Sequence, residues 1–185
     1  TGASRYTGSI LCERLLNQGY KVTGIDNLLY GQTSLLHLCA NPSFKFEQGD
    51  VRNDSLMKEL ISSADIIIPL AAIVGAPACD RDPLTAESVN VGAIQIVEKL
   101  RSPDQLLVYP NTNSGYGLGA GNNVCTEETP LNPISLYGRT KMEAERLILD
   151  GPNSIVLRLA TVFGASPRMR LDLSLIHISE PTRRT

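Results

Sequence analysis

Tyr137 and Lys141 stand four residues apart in the stretch Ser135-Leu136-Tyr137-Gly138-Arg139-Thr140-Lys141. Leu136, Met142, Leu147 and Ile148 recur at helical spacing with strong helix formers between them, which predicts an amphipathic helix. On that helix the phenol and the ammonium share one face. A cation beside a phenol favours the phenolate and draws its pKa down from about 10. A tyrosine so placed can take and return a proton near neutral pH. The chain has two histidines, His37 and His177. A Ser-His-Asp triad or a histidine-rich metal site would hang on one or both of them, so proton chemistry falls to Tyr, Lys and carboxylates. Tyr-x-x-x-Lys also occurs on ordinary helix surfaces, so its weight comes from its neighbours.

Those neighbours alternate between strand and helix. A helix near Ser9–Gln18 is closed by Gly19. A short strand over Lys21–Ile25 follows, then a polar turn with a short helix around Ser34–Cys39 and a strand over Phe44–Gln48. Asp54 is placed to cap a helix running to Ile61. The apolar run Asp65–Ala72 reads as a strand buried on both faces. A long helix over Leu84–Leu100, a strand over Gln105–Tyr109, the Tyr137 helix and a strand over Ser154–Leu159 complete the series. The pattern predicts right-handed crossovers and an α/β fold, a Rossmann-type doubly wound parallel sheet. In such sheets ligands bind beyond the carboxyl ends of the strands. Gly2–Gly8, Asp26-Asn27, Gly49-Asp50-Val51, Ala71-Ala72 and Asn111–Gly117 all fall at strand ends, which predicts a dinucleotide site.

The 185 residues suffice for one domain, and 42% are hydrophobic with a mean hydropathy of -0.04. That is the composition of a globular chain without a membrane-spanning run of about 20 apolar residues. A net charge of -2 gives no basic stripe for nucleic acid. Cys12, Cys39, Cys79 and Cys125 are scattered without metal-ligand spacing, which fits a reducing cytoplasm and no metal site.

Thr1-Gly2-Ala3-Ser4-Arg5-Tyr6-Thr7-Gly8 has the length of a G-x-x-G-x-x-G turn opening a helix, a turn that presents backbone N–H groups to a pyrophosphate. Arg5 stands in place of the middle glycine and is expected either to strain the turn or to crowd the phosphates. Asp26, at the end of the next strand, has the spacing of an acid that binds an adenosine ribose. A carboxylate there repels a 2′-phosphate, favouring NAD over NADP.

Together, the glycine turn, Asp26, Gly49-Asp50-Val51, Leu70-Ala71-Ala72, Asn90-Val91, Tyr137-x-x-x-Lys141 and Leu157-Arg158 to Phe163-Gly164 resemble the extended short-chain dehydrogenases. Within these they are similar to the NAD-dependent epimerase/dehydratase group acting on nucleotide sugars. The resemblance implies Tyr137 as catalytic acid/base, Lys141 as holder of the nicotinamide ribose, and Thr112, five before Gly117, as the assisting hydroxyl, with Ser114 as fallback. It implies NAD bound by Gly2, Tyr6, Thr7, Gly8, Asp26, Asn27, Asp50, Val51, Leu70, Ala71, Ala72 and Asn90, together with Tyr137 and Lys141. It further implies a cytoplasmic homodimer acting on a nucleotide sugar.

The chain departs from the family in two places. Asn113-Ser114 replaces the Asp-Glu pair of the 4,6-dehydratases, which marks dehydration down, and Thr161 replaces a frequent Asn. The reading is an NAD-dependent nucleotide-sugar epimerase. A sugar dehydrogenase/reductase or a dehydratase of the same family is the enzymatic alternative, and a non-catalytic NAD-binding regulatory or scaffold subunit is the other. Residues 1–172 are expected to be a partial dinucleotide-binding domain without its first strand and C-terminal substrate-binding part, leaving the fragment itself inactive. Residues 173–185 resemble a translated sequencing adapter.

Overall fold

The computed structural model describes residues 1–117 and 124–168. The adapter-like tail and His177 lie outside the described residues. Among the described residues five parallel strands and six α-helices follow one another. Helix α1 (Tyr6–Asn17) leads to β1 (Val22–Asp26), which pairs in parallel with β2 (Phe44–Gln48). Helix α2 (Asp54–Ser62) leads to β3 (Ile66–Ile67), the first strand of a second sheet. In that sheet β4 (Leu106–Thr112) lies between β3 and β5 (Ser154–Leu159), again in parallel. Between β3 and β4 come α3 (Ala76–Arg81), α4 (Pro83–Glu87) and α5 (Ala93–Leu100), and α6 (Leu136–Leu149) precedes β5.

The expected single sheet is therefore in two parts, of two and three strands. Residues 1–3 bridge them near their carboxyl ends. Ala3 N–H donates to the Ile25 carbonyl at 3.2 Å, and Leu70 N–H donates to the Thr1 carbonyl at 3.2 Å. The apolar run 65–72 forms a ladder only at Ile66 and Ile67, because beyond them its backbone turns to these bonds.

Several local features differ from the sequence expectation. Asn53, not Asp54, caps α2, its side chain accepting from Leu56 N–H. The short helix near Ser34–Cys39 is a 3-10 turn at Leu36–Leu38. The long helix over Leu84–Leu100 is interrupted by a π turn at Ser88–Gly92, and α3 ahead of it has no counterpart in the sequence reading. Met57, Val97, Leu107, Tyr109 and Ile148 are the most deeply buried large side chains of the main core, each at most 2% exposed. They pack α2, α5 and α6 onto the sheet, which fixes where the ends of β4 and α6 meet.

Candidate functional site

Ser135 starts α6 by accepting from Gly138 N–H at 3.0 Å, a side-chain cap for an otherwise orphan donor. A Cβ on Gly138 would lie 3.0 Å from Pro133 Cβ and 3.1 Å from the Ser114 carbonyl. A glycine here lets the first turn of α6 close on the 3-10 turn Asn113–Tyr116 that follows β4. Tyr137, Lys141, Thr112 and Ser114 thereby line one cavity of about 660 Å³. Thr112 Oγ1 accepts from Ser114 N–H at 3.1 Å and donates to Ser114 Oγ at 3.0 Å, so the two hydroxyls act as one unit.

Lys141 is 5% exposed. Its Nζ donates to the Pro110 carbonyl at 3.1 Å and lies 3.8 Å from the centre of the Tyr109 ring. Burial pushes its pKa down to about 7, against the pull of the Glu145 carboxylate. The Tyr109 phenol, itself buried, is pushed up and stays neutral. Glu145 is 3% exposed and accepts from Arg158 Nη2 at 2.5 Å and from Asn111 Nδ2. Arg158 also donates to the Tyr116 hydroxyl at 3.0 Å. This buried network holds α6, β4, β5 and the Thr112 turn in one arrangement. Sequence reading left it out, although Glu145 continues the four-residue spacing of Tyr137 and Lys141.

A second cavity of about 440 Å³ adjoins the first, and Arg5, Tyr30 and Ala72 line both. Gly2, Asp26, Asn27, Asp50, Val51 and Ala71 line the second, while Tyr6, Thr7, Gly8 and Leu70 line the first. Gly2 has φ +66°, and a Cβ on it would lie 2.7 Å from Ala71 N, so the turn admits no side chain there. Asp26, 3% exposed, accepts from Leu28 N–H at 2.9 Å and Ser4 N–H at 3.1 Å, which fixes its carboxylate at the end of β1. Arg52 grips Asp50 with two bonds, at 2.9 and 2.6 Å, and holds its carboxyl below the usual range. Arg52 was missed because its only signal is proximity to Asp50.

Asn90 is not part of either wall. Its amide accepts from Ile73 N–H at 2.8 Å and donates to the Ile73 carbonyl and the Thr140 hydroxyl, both at 3.1 Å. It fastens the strand-end loop to α6 from behind. Arg5 does not strain the turn, since its φ of -91° and ψ of 178° are ordinary extended backbone. Thr161 lines the first cavity.

The sequence profile of the NAD dependent epimerase/dehydratase family matches residues 1–179. The chain belongs to that family. Among similar curated proteins is a UDP-glucose 4-epimerase of Lactobacillus helveticus, 30% identical over 174 residues, covering 89% of this chain and 51% of the relative. An uncharacterized UDP-glucose epimerase of Bacillus subtilis is 33% identical over 192 residues, covering 94% of this chain and 58% of the relative. The crystal structure of a UDP-glucuronic acid 4-epimerase from Bacillus cereus, in complex with UDP-glucuronic acid and NAD, superposes with a TM-score of 0.81. It is 28% identical and covers 92% of this chain and 58% of that one. The chain thus spans about half the length of the relatives it matches.

Among the described residues no group of three or more His, Cys, Asp or Glu is arranged to hold a metal ion. The two joined cavities do suit a dinucleotide. One end holds the fixed Asp26 carboxylate, Gly2 and Gly8 leave no room for a side chain in the turn between, and the other end holds a phenol and an ammonium.

Proposed function

We propose that this chain is the dinucleotide-binding and proton-transfer part of an NAD-dependent nucleotide-sugar epimerase. The observation that carries the reading is the convergence of Tyr137, Lys141 and Thr112 in a cavity that shares Arg5, Tyr30 and Ala72 with the one that holds Asp26. Gly2, Tyr6, Thr7, Gly8, Asp26, Asn27, Asp50, Val51 and Leu70 to Ala72 would hold NAD. NAD, when bound, supplies the hydride acceptor and donor for the sugar carbon. Tyr137 takes the proton of the sugar hydroxyl as that carbon is oxidised, and returns it when the carbon is reduced on its opposite face. Thr112 holds the reacting oxygen, its hydroxyl turning away from Ser114 to do so. Lys141, held by Pro110 and the Tyr109 ring, supplies the cation that makes the Tyr137 phenolate accessible, and a donor for a ribose hydroxyl. The nucleotide-sugar substrate is supported by the relatives, whose names carry UDP-sugars. The Asn113-Ser114 pair lacks the acid and base that loss of water needs, so the reading is epimerisation rather than dehydration.

The test is Tyr137→Phe in the whole enzyme, followed by NMR of the UDP-sugar. The change removes the proton-carrying oxygen and keeps the ring. Turnover is expected to fall by roughly 10²–10⁴-fold with NAD affinity little changed. Near-normal turnover in this variant would sink the catalytic reading. Stoichiometric release of reduced cofactor by the unaltered enzyme would replace epimerisation with net oxidation.

A further inference from the structure

We propose that Arg5 is a diphosphate anchor, its guanidinium meeting the bridging phosphates of a dinucleotide laid across both cavities. The inference rests on the dinucleotide reading of the cleft and goes beyond it, because the glycine turn alone assigns no side chain to the phosphates. Three residues line both cavities, Arg5, Tyr30 and Ala72, and Arg5 is the charged one. The ribose-binding Asp26 lies in one cavity and Tyr137 with Lys141 in the other. The charged middle of a dinucleotide must cross between them, past Arg5.

The side chain is held ready for that contact. Nη1 donates to the Ala72 carbonyl at 2.7 Å, and the guanidinium lies 4.9 Å from the centre of the Tyr30 ring. A guanidinium has five N–H donors in a rigid fork suited to phosphate. One hydrogen bond and one ring face leave most of that fork for a ligand. Among the described residues no carboxylate pairs with Arg5. In the second cavity Asp50 is gripped by Arg52 at 2.6 Å, and the Asp26 carboxylate is taken up by the backbone N–H groups of Ser4 and Leu28. The extended backbone at Arg5 accepts its side chain without strain, so the arginine costs the turn nothing in conformation. Two other roles compete with this one. One is a plug that narrows the junction, and the other is a tie that only joins α1 to the Ala72 loop.

Calorimetric titration of the protein and its Arg5→Gln variant with NAD, ADP, adenosine and UDP separates these roles. Loss of a charge-assisted bond to a phosphate is expected to weaken NAD and ADP by about tenfold or more. Adenosine affinity is expected to stay within about twofold, and the salt dependence of ADP binding to flatten. Arg5→Lys, which keeps the charge and a donor for Ala72, is expected to recover part of the ADP affinity. It gives the same ADP-to-adenosine comparison if the Gln variant does not fold. Equal or tighter ADP binding by Arg5→Gln would overturn the anchor in favour of a plug, and an equal loss for adenosine in favour of a tie. A loss confined to UDP would assign the diphosphate to the sugar nucleotide and overturn the proposal as well. An unaltered protein that binds neither NAD nor ADP removes the cofactor reading and the anchor with it. Normal NAD binding that ignores Arg5 removes the anchor alone.

Discussion

Replacing Lys141 by methionine sets the stability of the fold against the chemistry of the site. Lys141 is 5% exposed, and burial lowers its pKa from 10.5 to about 7. At about 1.36 kcal/mol per pK unit, that depression corresponds to roughly 5 kcal/mol by which burial disfavours the charged form. Methionine has a similar length and no charge to desolvate. It forfeits the 3.1 Å bond to the Pro110 carbonyl and the contact with the Tyr109 ring, each worth about 1–2 kcal/mol. The net expectation is a gain of about 2 kcal/mol at pH 7, a rise in melting temperature of roughly 4–8 °C for a domain of this size. The gain must depend on pH. Between pH 7 and about 10.5 the unfolded chain keeps a proton on Lys141 that the folded chain has released. The stability of the unaltered protein therefore rises with pH across that window, and falls again as pH drops toward 7. The methionine variant has no such slope, so its advantage is expected to narrow steadily from pH 7 to pH 10. Differential scanning calorimetry of both proteins at pH 7, 8.5 and 10 reads this directly. A methionine variant that melts lower at pH 7, or an advantage independent of pH, would refute the desolvation argument. The same variant is expected to lose turnover in the whole enzyme.

Asp26→Ser is expected to erode a preference for NAD over NADP of about tenfold or more, measured by titration with both; a wild-type protein that prefers NADP would remove Asp26 from the ribose. Thr112→Val is expected to cost less turnover than Tyr137→Phe and Thr112→Ser to retain most of it, since one hydroxyl replaces another; steady-state rates of the two decide it. Glu145→Gln leaves the Arg158 guanidinium without its charge partner and is expected to destabilise the protein by about 3 kcal/mol in urea unfolding, with a further drop in the Lys141 pKa.

The parts of the site legible in the sequence were those set by local spacing. A four-residue step puts Tyr137 and Lys141 on one face, and small or polar residues at successive strand ends mark the cleft, because both rules act within one element. What stayed hidden depends on partners far along the chain. Arg5 reads as a misplaced residue until its Nη1 is found on the Ala72 carbonyl, 67 residues away. The amide of Asn90, given a cofactor-side position by the family resemblance, is bonded to Ile73 and Thr140, contacts that its place in the sequence does not announce. The low pKa of Lys141 comes from its burial in the folded protein, which helix spacing does not encode. Likewise the apolar run 65–72 carries the signal of a full strand, and its pairing with residues 1–3 is a tertiary choice. The swap of Asp54 for Asn53 as the cap is a one-residue displacement between two residues with equal capping chemistry.

The π turn at Ser88–Gly92 has a bearing on which changes of length this chain can absorb. It carries one extra residue within a run that is otherwise α-helical from Pro83 to Leu100. Ahead of it Ala86 faces the small cluster around Ile73 and Cys79; beyond it Ala93, Ile94 and Val97 face the main core. Deleting a single residue from the turn would restore a regular helix and rotate everything after it by about 100°. Ile94 and Val97 would then swing away from the core, and the carboxamide of Asn90 would leave its two partners in the same stroke. Substitutions along the exposed side of this helix are mild by comparison. A one-residue gap here is damage to two layers of the protein at once, so the length of this segment is more tightly constrained than its composition.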